Sequence, residues 1–231
     1  MAASPERLKH AVRVLCPDIE QRIHRNDRAR SERELWRELS CCLLSSQVPY
    51  ELADAAAEAI DADELLLGRT VDAAAIEAVL SAPLLISSGT RRYRFPVKRA
   101  EQLAATHDAV MLYADGLSDL IEGFDTAQAA REWLVAHAPG LGPKQASMFL
   151  RNAGFSYELA VLDRHVLTYM KALDLSEMGN QALGSLPRYQ ICETRLVEHA
   201  GELGYRVGLL DWAIWIVVRA ARRMDKGAEF S

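Results

Sequence analysis

Lysine is scarce in this chain. Only Lys9, Lys98, Lys144, Lys171 and Lys226 occur, so arginine supplies most of the 27 basic side chains. Such a sequence uses arginine for generic positive charge and keeps lysine for what arginine cannot do, since a guanidinium neither loses its proton nor forms a Schiff base. Cysteine is thin as well. Cys16, Cys41, Cys42 and Cys192 show no metal-ligand spacing, and the adjacent pair lies in an apolar run, which reads as packed, reduced thiols. No apolar run approaches a membrane span, and Met1 leads into a polar, charged segment. Neither an anchor nor export is therefore expected, and the location expected is cytoplasmic. No segment alternates apolar and polar residues convincingly enough to read as a strand. Surplus positive charge is missing too. The formal net charge is −5, so a duplex-binding role requires arginines gathered on one face. The candidates are Arg91, Arg92 and Arg94 with Lys98 and Arg99, and a late cluster of Arg219, Arg222 and Arg223, with a solvated surface patch as the plainer reading of each.

What remains is helical periodicity along nearly the whole chain. Leu8, Val12 and Leu15 recur at helical spacing until Pro17, which is expected to interrupt them. Ser31 and Glu34 are spaced as a capping box ahead of Leu35, Leu39 and Leu43. Helices are further expected over 51–60, 73–80, 97–105, 126–137, 143–153, 163–172, 188–203 and 208–223. Gly154 is a natural stop for the helix it follows. Asp115-Gly116 and Glu122–Asp125 read as turns. Half the residues are apolar, so a core can be buried, in one large domain or two small ones.

One short stretch carries chemistry. Gly140-Leu141-Gly142-Pro143-Lys144 combines two glycines, whose main-chain N–H groups can approach a phosphate closely, with a proline suited to open a helix. Lysine beside it sits over the positive helix end, which disfavours the ammonium and helps free the amine. Asp163, just ahead of another apolar-periodic run, supplies a complementary carboxylate. Cradle, amine and carboxylate together suggest covalent chemistry on a nucleic acid. The plainer reading is an interhelical loop with a solvated lysine, and an aspartate that merely caps the next helix.

The run 141–152, followed by Leu162-Asp163-Arg164-His165-Val166-Leu167, resembles the helix-hairpin-helix DNA glycosylases. Leu43-Leu44-Ser45-Ser46-Gln47 and Leu210-Asp211-Trp212-Ala213-Ile214-Trp215 are most similar to the compact archaeal and bacterial 8-oxoguanine glycosylases with lyase activity. The likeness spans roughly residues 30–220. It implies an all-α fold of two helical subdomains with the active site in the cleft between them. One, about 30–157, would be a helical barrel ending in the helix-hairpin-helix; the other would combine 1–29 with 158–231. The iron–sulfur cluster that some relatives hold on four late cysteines is excluded by the cysteine positions.

The resemblance also implies roles. Lys144 would attack C1′ of a flipped nucleotide and Asp163 would assist, cutting damaged double-stranded DNA through a Schiff base. Gln47 would fill the gap left by the extruded base; a surface-loop amide is the alternative. Phe95 would wedge a base step open; Arg92 and Arg94 beside it are expected on the backbone from their clustering alone, not from the resemblance. Gly140, Gly142 and His165 would meet phosphates, unless His165 is a structural histidine. Met148, four residues after Lys144, and Trp215 would line the base pocket, with core packing as the rival for each. A monovalent cation could sit on the carbonyls of Pro139, Leu141 and Gly142; no other cofactor or metal is expected, and the chain is expected to be a monomer. The family's short lysine-ended tail is replaced here by a longer run through Arg222-Arg223-Met224-Asp225-Lys226 to Ser231. Two alternatives stay open: a sister glycosylase for an oxidised pyrimidine or mispaired base, and a non-catalytic hairpin module that only grips DNA.

Overall fold

The computed structural model describes residues 4–25, 30–175 and 183–228, with side chains at 24–25 and 223–228 left aside. Among the described residues there are eleven helices and a single two-stranded hairpin. The chain divides into two compact units, one continuous (Ala29–Phe155) and one built from Met1–Arg28 with Ser156–Ser231.

The continuous unit is organised around α2 (Glu32–Leu44), which packs against α3 (Tyr50–Ala62), α5 (Pro96–Tyr113), α6 (Leu117–Glu122) and α8 (Pro143–Asn152). Ser31 and Glu34 do form a capping box at its start. Leu39 and Leu43, one turn apart, are fully buried, as are Ile60, Leu103 and Phe149. Two arginines on the outer side of α2 neutralise acid on α3 and in the turn after it: Arg33 pairs with Asp61 and Glu64, Arg37 with Asp54 and Glu58. Four of the acidic residues behind the negative net charge are thus already matched. α4 (Ala73–Ser81) lies on α5, and α7 (Ala127–His137) on α8.

Two features of this unit differ from the sequence expectation. β1 (Pro83–Ile86) and β2 (Gly89–Arg92) form an antiparallel hairpin pairing Ile86 with Gly89 across a two-residue turn. The strands are four residues long and β2 is exposed throughout, so no apolar alternation marks them. Between the expected turns at Asp115-Gly116 and Glu122–Asp125 runs the short α6, started from outside itself. The Glu32 carboxylate accepts from Leu117 N–H at 2.6 Å and Ser118 N–H at 3.0 Å. It stands so close that a Cβ at Gly116 would meet its Oε1 at 2.7 Å.

The second unit packs α11 (Val207–Ala228) against α1 (Pro5–Arg25), α9 (Arg164–Ala172) and α10 (Leu186–Leu203). Its core joins Leu8, Val12, Cys16 and Ile19 of α1 to Leu210, Ala213, Ile214 and Val218 of α11. Pro17 does not end α1, contrary to expectation. It lies on the exposed face with Arg13, so the carbonyl it leaves unbonded meets water. Cys16 and Ile19 anchor the same turn in the core. An internal proline costs about 3 kcal/mol, and burial of each large apolar side chain returns about 1.5–3 kcal/mol. All four cysteines are free and buried, and burial pushes the Cys16 thiol up to about 11.

Candidate active site

α7 and α8 are joined by Ala138–Gly142, the hairpin expected at this point. Leu141 N–H closes a turn onto the Ala138 carbonyl at 3.1 Å. Pro139 and Gly140 fill its middle positions, and Gly140 has φ +93, the conformation that favours glycine there. Gly142 is the N-cap of α8 and offers no side chain to the first-turn N–H groups, and Pro143 follows at the first helical position. The first turn of α8 is therefore open to an anion. The Gly142 carbonyl already accepts from Ala146 N–H, leaving it one lone pair toward any cation. Lys144 is half-buried in that turn, and among the described residues nothing pairs with its ammonium. Met148 shares its face one turn on, also half-buried. Arg131, fully buried on α7, ties the two helices together by donating to Ser147 Oγ at 3.2 Å.

Asp163 belongs to the other unit and is the N-cap of α9. Its Oδ1 accepts from both His165 N–H (2.7 Å) and Val166 N–H (2.9 Å). Among the described residues no hydrogen bond engages Oδ2. Capping thus engages one oxygen and leaves the other open.

The segment leading to Asp163 has no regular secondary structure, and among the described residues side chains take up its N–H groups. Ala160 N–H donates to Glu193 (2.8 Å), Val161 N–H to Asp211 (2.5 Å) and Leu162 N–H to the Tyr189 phenol (2.9 Å). That phenol donates in turn to the Ala160 carbonyl at 2.7 Å. A buried N–H left without a partner costs about 1–3 kcal/mol, so the three side chains hold this backbone firmly. Sequence reading missed Tyr189 and Glu193. Their four-residue spacing puts them on one face of α10, but nothing in the sequence says what that face meets. Asp211, buried between apolar neighbours, was the more legible sign of a buried partner.

Around Asp163, the His165 ring is 5% exposed, with Arg164 Nε donating to its Nε2 at 3.3 Å. Arg164 beside it is exposed. The ring meets half-buried Trp215 edge-on at 6.3 Å, and Arg219 lies 4.7 Å over that tryptophan. Arg222 donates to Thr168 at 2.7 Å. The rest of the expected late basic cluster, Arg223 and the tail to Ser231, falls outside the side chains described.

Burial holds His165 below its ordinary value of 6.5, helped by Arg164, Arg222 and Arg219 and opposed by Asp163. Burial also lowers His199, which lies 3.0 Å from the Tyr169 hydroxyl. Both rings resist protonation when folded but accept protons freely when unfolded. Stability should therefore be full above pH 6.5 and fall as the pH drops from there toward the depressed folded values. Thermal melts across that window should show the midpoint falling with acid, and His199→Gln should flatten the trend. A midpoint that rises on acidification would contradict it.

The expected DNA-facing residues of the continuous unit lie on two connected loops. Gln47 is exposed in the link from α2 to α3 and adopts φ +65, a strained conformation for a residue with a side chain. The loop is tied down behind it, where the Tyr93 hydroxyl donates to the Leu44 carbonyl at 2.6 Å. Burial pushes that phenol up to about 12, so it stays a donor. Arg91, Arg92, Arg94 and Lys98 are exposed, and among the described residues none of them makes an ion pair. Arg92 reaches the Ser81 carbonyl at 3.3 Å, and Arg94 lies 4.9 Å over half-buried Phe95. Arg99 departs from the expected basic patch: it is 7% exposed and points inward.

A family model described as 8-oxoguanine DNA glycosylase matches residues 19–205. The chain is 32% identical over 199 residues to the 8-oxoguanine DNA glycosylase/AP lyase of Korarchaeum cryptofilum, covering 86% of this chain and 87% of that one. Among solved structures it is similar to the 8-oxoguanine DNA glycosylase of Thermotoga maritima, with a TM-score of 0.70, 29% identity, and 93% and 95% of the two chains covered. It is also similar to the Methanocaldococcus jannaschii 8-oxoguanine glycosylase/lyase in complex with a 15mer DNA containing 8-oxoguanine. There the TM-score is 0.68 at 26% identity, with 86% and 88% covered.

Proposed function

This chain belongs to the 8-oxoguanine DNA glycosylase family, and from that premise we propose that it excises 8-oxoguanine from duplex DNA and cuts the strand through Lys144 and Asp163. The observation that carries the reading is the unpaired Lys144 ammonium in the open first turn of α8, behind the Gly140–Gly142 hairpin. The hairpin and helix N–H groups hold a phosphate of the damaged strand, and the exposed Arg92 and Arg94 hold its neighbours. Phe95 and Gln47 open the duplex and fill the gap, and the lesion stacks against Met148 and Trp215.

The chemistry then needs only an amine and a carboxylate. Lys144 Nζ bonds to C1′ as the bond from C1′ to the base breaks; the base leaves with that electron pair and takes up a proton. Asp163 Oδ2 steadies the positive charge that builds on the sugar and accepts a proton from the amine. The adduct opens to a Schiff base, which acidifies the hydrogens at C2′. Loss of one of them expels the 3′ phosphate and cuts the strand. A monovalent cation on the Pro139 and Leu141 carbonyls would add positive potential beneath the bound phosphate. One copy of the chain suffices for every step.

A lesion panel tests the substrate. Duplexes carrying 8-oxoguanine, thymine glycol, a G·T mismatch or a preformed abasic site are incubated with the full chain, and strand cleavage is read on a denaturing gel. 8-Oxoguanine is expected to be cut fastest of the base lesions, with the abasic site also cut. Preferential cutting at thymine glycol or the mismatch would assign a sister specificity, and no cutting anywhere would leave only a DNA-gripping module.

A further inference from the structure

Arg99 sits in the first turns of α5, almost fully buried, with no carboxylate partner among the described residues. Its Nη1 donates to Gln102 Oε1 at 2.7 Å and its Nη2 to the Ser46 carbonyl at 3.4 Å, with the Tyr93 phenol also against the guanidinium. Its Nε has no hydrogen-bond partner there. A buried guanidinium so incompletely matched is costly, and an apolar side chain would serve packing better. What distinguishes the position is the company it keeps. Ser46 immediately precedes the strained Gln47, and α5 begins directly after Phe95. From a third side comes the hairpin: a Cβ on Gly140 would stand 2.6 Å from Gln102 Oε1 and 3.0 Å from Arg99 Nη1. The hairpin backbone is thus pressed onto the same two side chains that hold the Gln47 loop.

We propose that Arg99, through Gln102 and the Ser46 carbonyl, is a positioning residue that locks the phosphate-holding hairpin to the Gln47 loop. The inference rests on the DNA-repair reading above. A phosphate seated at the hairpin fixes where the strand runs, and the lock fixes where Gln47 then enters the duplex. Base extrusion depends on that fixed distance. Cleavage at a preformed abasic site does not, because no base has to be moved.

The test compares the two activities in the full chain carrying Arg99→Met or Gln102→Leu, with 2-aminopurine beside the lesion reporting extrusion. Excision from the 8-oxoguanine duplex and the extrusion signal should fall by about 100-fold, the scale of an ångström-size misplacement, while abasic-site cleavage falls only about threefold. Arg99→Lys should recover part of the excision rate, since an ammonium can reach one of the two acceptors. Combining Gly140→Ala with Gln102→Leu should cost less than the sum of the separate losses, because both break the same connection. Equal loss of both activities together with a lowered melting midpoint would reduce Arg99 to a fold-holding residue and overturn the proposal. So would unchanged excision in Gln102→Leu. A wild-type chain that cuts neither substrate overturns the repair reading itself, which the abasic control identifies separately.

Discussion

Lys144→Gln should abolish the adduct that borohydride traps between this protein and duplex DNA containing 8-oxoguanine. Borohydride reduces a Schiff base to a stable amine, so trapping reports the covalent intermediate rather than binding. Glutamine keeps most of the length of lysine but has no nucleophilic nitrogen, and at a half-buried helix position it should leave folding intact. Lys144→Arg adds a sharper arm. It retains the positive charge at the hairpin and hence the DNA grip, yet arginine cannot form a Schiff base, so trapping should again be lost. A trapped species that persists in both variants would move the nucleophile elsewhere. Lys98, in the exposed basic stretch, would be the next amine to test.

Asp163→Asn should separate the two duties of that side chain. Asparagine caps helices about as well as aspartate, so the melting midpoint should hold, whereas Asp163→Ala should cost about 1 kcal/mol of stability. Turnover should fall in both variants by about 10²–10³-fold, the usual scale for removing one group that faces developing charge. The structure supports this separation, because both capping bonds land on Oδ1. An Asp163→Asn protein that turns over at the wild-type rate would leave the residue as a cap only.

Helices were legible in the sequence because their apolar stripes repeat over many residues, and the α2 capping box and the 138–142 hairpin were readable from local chemistry alone. The β-hairpin was not, since one of its strands buries nothing. Pro17 misled because a proline on a wet face can be carried by buried neighbours, and burial is a property of the folded unit. The motif residues Lys144 and Asp163 stood out by type and spacing. Arg99 did not: in a run of arginines it read as one more surface charge, and only the packing of Ser46, Gln102 and Gly140 around it reveals an inward role. The side chains that carry the backbone before Asp163 were equally hidden, because a tyrosine and a glutamate on an amphipathic helix announce no partner.

The division of the chain has a consequence for how it is made. Residues 29–155 form a unit from one uninterrupted stretch, so all its contacts are available once that stretch has left the ribosome. The other unit needs both α1 and α11, which flank the continuous unit and, among the described helices, come before and after all the others in chain order. Until α11 emerges, the stripe of Leu8, Val12, Cys16 and Ile19 lacks the helix it packs against most. The early folding of the middle of the chain shortens the search that follows, because it draws a long connector into a compact body. Assembly of the unit that carries Asp163 therefore follows that of the continuous unit, and α1 is the segment that waits for its partner.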